Sequence, residues 1–170
     1  LRARLAEMRD EATTAIEEGA LYMVLSDRHA TEDRAPIPSL LATANMHHHL
    51  VQMKKRVQIG MVVEAGDVRE VHHMALLMGY GSAAVNPYLL FESAEDLARR
   101  EQLVNVAPEV AISNVSHALE HGLLKVMSKM GVSTMASYQG AEIFEAVGLS
   151  SEVMNEFFTG TTSRIEGIGL

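Results

Sequence analysis

Histidine is the residue here with the most obvious capacity for chemistry. It falls as His47-His48-His49, as His72-His73 and as the pair His117 and His121. Imidazole binds metals and exchanges protons near neutral pH. Consecutive residues on a helix point about 100° apart, so three adjacent rings cannot close on one ion. Joining His47 or His48 to His72 or His73 requires two helices packed face to face. His117 and His121, four apart, suit the first two ligands of a zinc site. No H-E-x-x-H motif is present, and no Cys or Asp completes a recognisable set. The expectation is therefore hydrogen-bonded imidazoles at helix–sheet and domain contacts. The rival, a His-dependent metalloenzyme, predicts stoichiometric zinc in purified protein.

Other residues offer less. Ser26-Asp27-Arg28 follows an apolar run, at the carboxyl end of an expected strand, where α/β sheets commonly bind ligands. The alternative there is a salt bridge or a loop-anchoring network. Gly79-Tyr80-Gly81-Ser82 precedes a strand, whereas phosphate cradles need glycines between a strand and the following helix. A helix C-cap is the better reading. Gly66-Asp67 has the right order but lacks the G-x-G-x-x-G pattern. No G-x-S-x-G elbow supports a hydrolase triad. Lys125 and Lys129, one turn apart, read as a solvated cationic face near a helix C-terminus.

The elements that must position these residues follow from apolar spacing and breakers. Leu1, Leu5, Met8, Ala12 and Ala15 mark an amphipathic helix from Leu1 to Glu18, stopped by Gly19. Ala20 to Leu25 has strand length, and His29 to Arg34 is a charged loop. Pro36 and Pro38 lead to Ser39, the expected N-cap of a helix running to about Lys55. A second strand covers Val57 to Glu64. Asp67 is the expected cap of a helix from Val68 to Met78. A third strand spans Ser82 to Val85, before Asn86-Pro87. This β-α-β-α-β order predicts an α/β fold with a mostly parallel sheet covered by helices.

Beyond Pro87 the reading is helix-rich: Ala94 to Leu103, then a long helix from Pro108 to about Met130. Its apolar positions include Val110, Val115, Leu119, Leu123, Val126 and Met130. The last part reads as a strand (Val132 to Ala136), helices (Gly140 to Val147 and Ser150 to Phe158) and a loop (Thr159 to Arg164). The organisation expected is 1–92, a connecting segment 93–108, and 109–170.

Composition sets the outer limits. The chain has 170 residues, 14 basic and 22 acidic, with a formal charge of −8. That acidity argues against nucleic acid or an anionic membrane as partner, since both need clustered Lys and Arg. No apolar run approaches the roughly 18 residues of a membrane span. The 11 Met residues and absent Trp point to an adaptable aliphatic and thioether core. With no Cys, the chain holds no disulfide, thiolate nucleophile or Cys-ligated cluster. Both termini read as cut ends, so a fragment is expected, from a cytoplasmic protein or, in a eukaryote, one of the plastid stroma.

Four strings then carry a resemblance. They are SDRHATEDRAPIPSLLATANMHHHL (Ser26 to Leu50), VVEAGDVREVHHMALLMGYGSAAVNPYLLFE (Val62 to Glu92), HGLLKVMSKMGVSTMASYQGAEIFEAVGL (His121 to Leu149) and FFTGTTSRIEGIGL (Phe157 to Leu170). Their API-PSLLA, HHHL, REVHH, GYG and NPYL elements, in this order, resemble the large subunit of glutamate synthases. Three positions depart from the family pattern. Glu142 stands where Gln is usual, Glu166 sits in SRIEG where SRIGG is common, and Glu64-Ala65-Gly66-Asp67 replaces an ESGE-like element.

The resemblance implies that 1–92 is the C-terminal part of the central α/β domain. It also implies that 109–170 begins the FMN-binding region, leading into a (β/α) barrel absent here. The parent would move the amide nitrogen of glutamine to 2-oxoglutarate and reduce the product, giving two glutamates. It would use FMN and an iron–sulfur cluster, neither expected to bind this fragment alone. Implied partners are the glutaminase and FMN-barrel domains of the same chain, and either an NAD(P)H-oxidising small subunit or ferredoxin. No catalytic, cofactor-binding or metal residue is assigned, and the expected role is a scaffold supporting an ammonia channel. The alternative is a stand-alone small α/β ligand-binding or regulatory module.

Overall fold

Short β-branched and aliphatic runs separated by helical stretches fold the first half into a parallel sheet, with strand order β1-β2-β3. The computed structural model describes residues 1–103 and 105–170. Val104, within the connecting segment, lies outside the described residues. Strand β1 (Tyr22–Ser26) pairs with β2 (Gly60–Glu64), which pairs with β3 (Ala84–Asn86). Parallel neighbours need crossovers, which α2 (Ser39–Gln52) and α3 (Val71–Gly79) supply. The central strand is the buried one. Met61 and Val63 are sealed, while Tyr22 and Val24 on the edge strand stay 74% and 60% exposed.

Helix α2 is the hub. Leu41 to Met46 and Leu50 are all buried, and α2 packs on α1 (Arg2–Glu17) through Leu5 and Ala12, seven residues apart. The N-terminus of α2 is satisfied from a distance. The Asp67 carboxylate accepts hydrogen bonds from the Ser39 amide at 3.0 Å and the Ser39 hydroxyl at 2.7 Å. Asp67 therefore caps α2 rather than the helix that follows it, and α3 begins only at Val71. In its place, the Arg69 amide donates to His73 Nδ1 at 3.1 Å.

Helix α4 (Tyr88–Arg99) starts directly after Pro87, earlier than the apolar spacing indicates, because Pro is well placed to open a helix. Helix α5 (Pro108–Met130) ends on Gly131 in the left-handed conformation, φ 72°. Its buried positions are Ala111, Leu119 and Met127, whereas Val110 and Met130 are about half exposed. Gly122 on α5 sits against the Val71 side chain of α3, where a Cβ would collide with the valine methyls. That glycine sets the approach of the two helices.

The C-terminal third departs most from expectation. Residues 132–134 form no strand, and Met135–Tyr138 make a one-turn helix, α6. The expected helix over Gly140 to Val147 is instead a non-helical connection leading into strand β4 (Glu145–Leu149). Beyond α7 (Ser151–Phe157), the second half of the expected loop begins strand β5 (Thr162–Ile168), paired in parallel with β4. This third is keyed to helix α3 by Tyr138, fully buried, whose hydroxyl donates to Ala75 O at 3.0 Å. Gln139 adds a bond to Ser82 O at 2.8 Å.

Candidate functional site

The register of the sheet brings Ser26, Glu64 and Asn86 side by side at its carboxyl edge. Glu64 is the hub. It accepts from Ser26 Oγ at 2.6 Å, Arg28 Nε at 3.1 Å and Asn86 Nδ2 at 3.2 Å. The Ser26 hydroxyl, then the Arg28 guanidinium, hold its carboxyl below the ordinary range. Arg28 also reaches Glu92 at 3.0 Å and lies over the Tyr88 ring, 4.2 Å from its centroid. Asp27 accepts from the Gly66 amide with both oxygens, at 3.0 and 2.9 Å. Ser26-Asp27-Arg28 thus stands where a ligand would be sought, yet its groups are spent on one another. The loop-anchoring alternative matches this geometry.

The histidines scatter. His49 Nε2 lies 3.0 Å from Thr13 Oγ1, and His47 Nδ1 accepts from Arg56 Nε at 3.2 Å. Burial first, then the charge of Arg56, lowers the His47 pKa to about 4. His72, His117 and His121 are exposed. No group of three or more His, Cys, Asp or Glu able to hold a metal occurs among the described residues.

His48 differs from the others. Its Nε2 is buried and has no hydrogen-bond partner among the described residues. The ring lines a cavity of about 270 Å³ between the end of α2, the end of α3, the α6–β4 connection and the α7–β5 turn. Tyr80 and Phe144 stack across one wall, centroids 6.4 Å apart at 22°. The Tyr80 hydroxyl bonds Thr161 Oγ1. Glu142 stands at the rim with φ 53°, a left-handed backbone that is rare outside glycine. No described residue engages its carboxylate in a hydrogen bond or ion pair. Burial lowers the pKa of His48, against the opposing pull of Glu142. The cavity was missed in the sequence because its walls come from four separated segments. The Glu142 substitution was its only signal.

A larger open groove of about 1,070 Å³ runs beside the unpaired edge of β1, between α1 and the 27–39 loop. No helix among the described residues is long and apolar enough to cross a membrane.

Comparison with known proteins adds the wider setting. Residues 1–150 match the family described as the glutamate synthase central domain. A glutamate synthase [NADH] of Schizosaccharomyces pombe is 48% identical over 98% of this chain and 8% of its own length. A glutamate synthase [NADPH] large chain of Bacillus subtilis is 42% identical over 100% and 11%. A ferredoxin-dependent glutamate synthase of Pyropia yezoensis is 39% identical over 99% and 12%. The chain therefore spans about a tenth of the length of these relatives. Among solved structures, a flavocytochrome b2 with sulfite bound shares the fold, with TM-score 0.61 at 19% identity. That match covers 91% of this chain and 39% of the flavocytochrome.

Proposed function

Because this chain belongs to the glutamate synthase central-domain family, we propose that it is one part of a glutamate synthase large subunit and acts there as a rigid scaffold supporting the passage of ammonia between two active sites. The parent moves the amide nitrogen of glutamine to 2-oxoglutarate and reduces the product, yielding two glutamates. It does so with FMN and an iron–sulfur cluster carried outside these residues. The observation that carries the scaffold reading is the closed bonding at the carboxyl edge. Ser26, Arg28 and Asn86 all converge on Glu64 and lock three strand ends together. A layer locked in this way holds neighbouring sites at fixed separation.

The proposal includes the division into 1–92, 93–108 and 109–170, the last carrying the start of the flavin-binding region. The parallel β4–α7–β5 unit supports that last assignment, while the family match runs on to residue 150. Partners in this reading are the glutaminase and FMN-barrel domains of the parent chain. The relatives are named for three different electron donors at similar identity. This favours a segment that sets none of them, leaving that choice to a small subunit or ferredoxin acting elsewhere.

Arg28→Ala in the full-length enzyme tests the scaffold. The expected result is folded protein that hydrolyses glutamine but yields fewer glutamates per glutamine consumed. Loss of turnover with folding and coupling intact would sink the reading.

A further inference from the structure

The cavity walled by His48, Tyr80, Glu142, Phe144 and Thr161 is built for a ligand, and we propose that it binds a compact organic ammonium, a protonated primary amine on a short apolar or aromatic body. This goes beyond the scaffold reading, which rests on the sheet edge. Charge gives the first reason. The lining contains no Lys or Arg, and its carboxylate, Glu142, has no protein partner among the described residues. An anionic ligand would meet only repulsion at the rim, while a cation gains a charge-assisted hydrogen bond.

The aromatic wall points the same way. Tyr80 and Phe144 both line the cavity, and aromatic rings attract ammonium groups through their quadrupoles. The His48 ring also lines the cavity, with Nε2 itself sealed from solvent. Burial lowers its pKa, which disfavours a second cation beside the ligand. Carboxylate, aromatic wall and a lining without Lys or Arg together select an ammonium. Ile143 and Val51 supply surface for an apolar body. The volume, about 270 Å³, falls just below the roughly 300–1,000 Å³ of pockets that hold drug-sized ligands.

The backbone supports a purpose for Glu142. Holding a non-glycine residue at φ 53° costs on the order of 1 kcal/mol, and no bond within the described residues repays it. Gly160 accommodates the carboxylate, because a Cβ there would strike it. Lys54, Glu101 and Asn105 share such a φ, so the unpaired carboxylate at the rim, together with its backbone, marks Glu142 as a binding residue.

The test uses full-length protein and ligand-observed fluorine NMR, with 4-fluorobenzylamine as probe and 4-fluorobenzyl alcohol as its uncharged counterpart. The amine is expected to bind about tenfold more tightly than the alcohol, the contribution of one charge-assisted hydrogen bond. Glu142→Gln, a near-isosteric change on an exposed side chain, is expected to erase that preference while leaving the fold unchanged. Isobutylamine is expected to displace the probe. Equal binding of amine and alcohol, a preference that survives Glu142→Gln, or no binding of either probe by the full-length protein would each overturn the proposal. The last outcome would mean that the parent chain fills the cavity itself. None of these results bears on coupling between active sites, so the scaffold reading stands or falls separately.

Discussion

The carboxyl edge of the three-stranded sheet and the His48–Glu142 cavity carry similar chemistry, since each centres on one glutamate near aromatic and hydrogen-bonding side chains. They differ in bonding. At the edge, Glu64 takes three side-chain hydrogen bonds, and Arg28 is shared between two carboxylates and a ring. At the cavity, Glu142 takes none among the described residues, and a buried ring nitrogen beside it is orphaned. Position alone favours the edge, because ligands of α/β sheets gather at strand carboxyl ends. The state of the hydrogen bonds favours the cavity. A polar cluster that satisfies itself has little left to offer a ligand.

Acid should separate the two regions most strongly. His47, on the cavity side, has its pKa lowered from 6.5 to about 4, chiefly by burial and then by Arg56. As pH falls below the ordinary imidazole value, the opened state takes up a proton and the folded state does not. Stability is therefore lost from about pH 6.5 downward until pH approaches 4. Linkage sets the loss at roughly 2 kcal/mol between about pH 7 and pH 5. Hydrogen exchange of peptides covering α2 in the full-length protein should report it. His47→Asn, which keeps an acceptor for Arg56, should flatten the slope. An unchanged slope would mean that His47 titrates normally and the cavity wall is not buried from water.

The edge should respond later and less. The Glu64 carboxyl is held low by Ser26 and Arg28, so its contribution is complete above about pH 4.5. It is lost only as pH falls through the lower folded-state value. Glu64→Ala at neutral pH should loosen exchange at all three strand ends, Tyr22–Ser26, Gly60–Glu64 and Ala84–Asn86, together. The effect should be smaller than that at His47, because water can replace the carboxylate for the partly exposed Arg28 and Ser26. Loosening confined to β2 would argue that the edge is a set of independent contacts and not a lock.

The edge was also the more legible of the two in sequence. Strands β1, β2 and β3 are short apolar runs bounded by Ser26-Asp27, Gly66-Asp67 and Pro87, so their existence and parallel pairing followed from local signals. Asp67 shows where local reading stops. It precedes a helix and looked like that helix's cap, but its partner, Ser39, lies 28 residues away in the chain. Strands β4 and β5 were hidden for a related reason. Glu145-Ala146-Val147-Gly148-Leu149 contains helix formers, and Thr162–Ile168 alternates polar residues with a glycine. Their extended form depends on pairing with each other and not on intrinsic preference. The cavity depends on that pairing in turn, since the segments flanking β4 and β5 form two of its walls.

The sharpest contrast is one of sign. Removing a side chain from a self-satisfied network destabilises it, whereas removing one held in strain for another purpose does the reverse. Glu142 has φ 53°, a conformation that glycine adopts without steric cost. Glu142→Gly should therefore stabilise the α6–β4 connection by about 0.5 kcal/mol, net of the greater freedom glycine brings to the opened state. Slower hydrogen exchange across residues 139–149 of the full-length protein would register the gain. The same substitution should abolish the amine preference of the cavity, so one variant would gain stability and lose binding. A destabilised Glu142→Gly would show that the carboxylate makes a fold-supporting contact after all, and the distinction between the two glutamates would collapse.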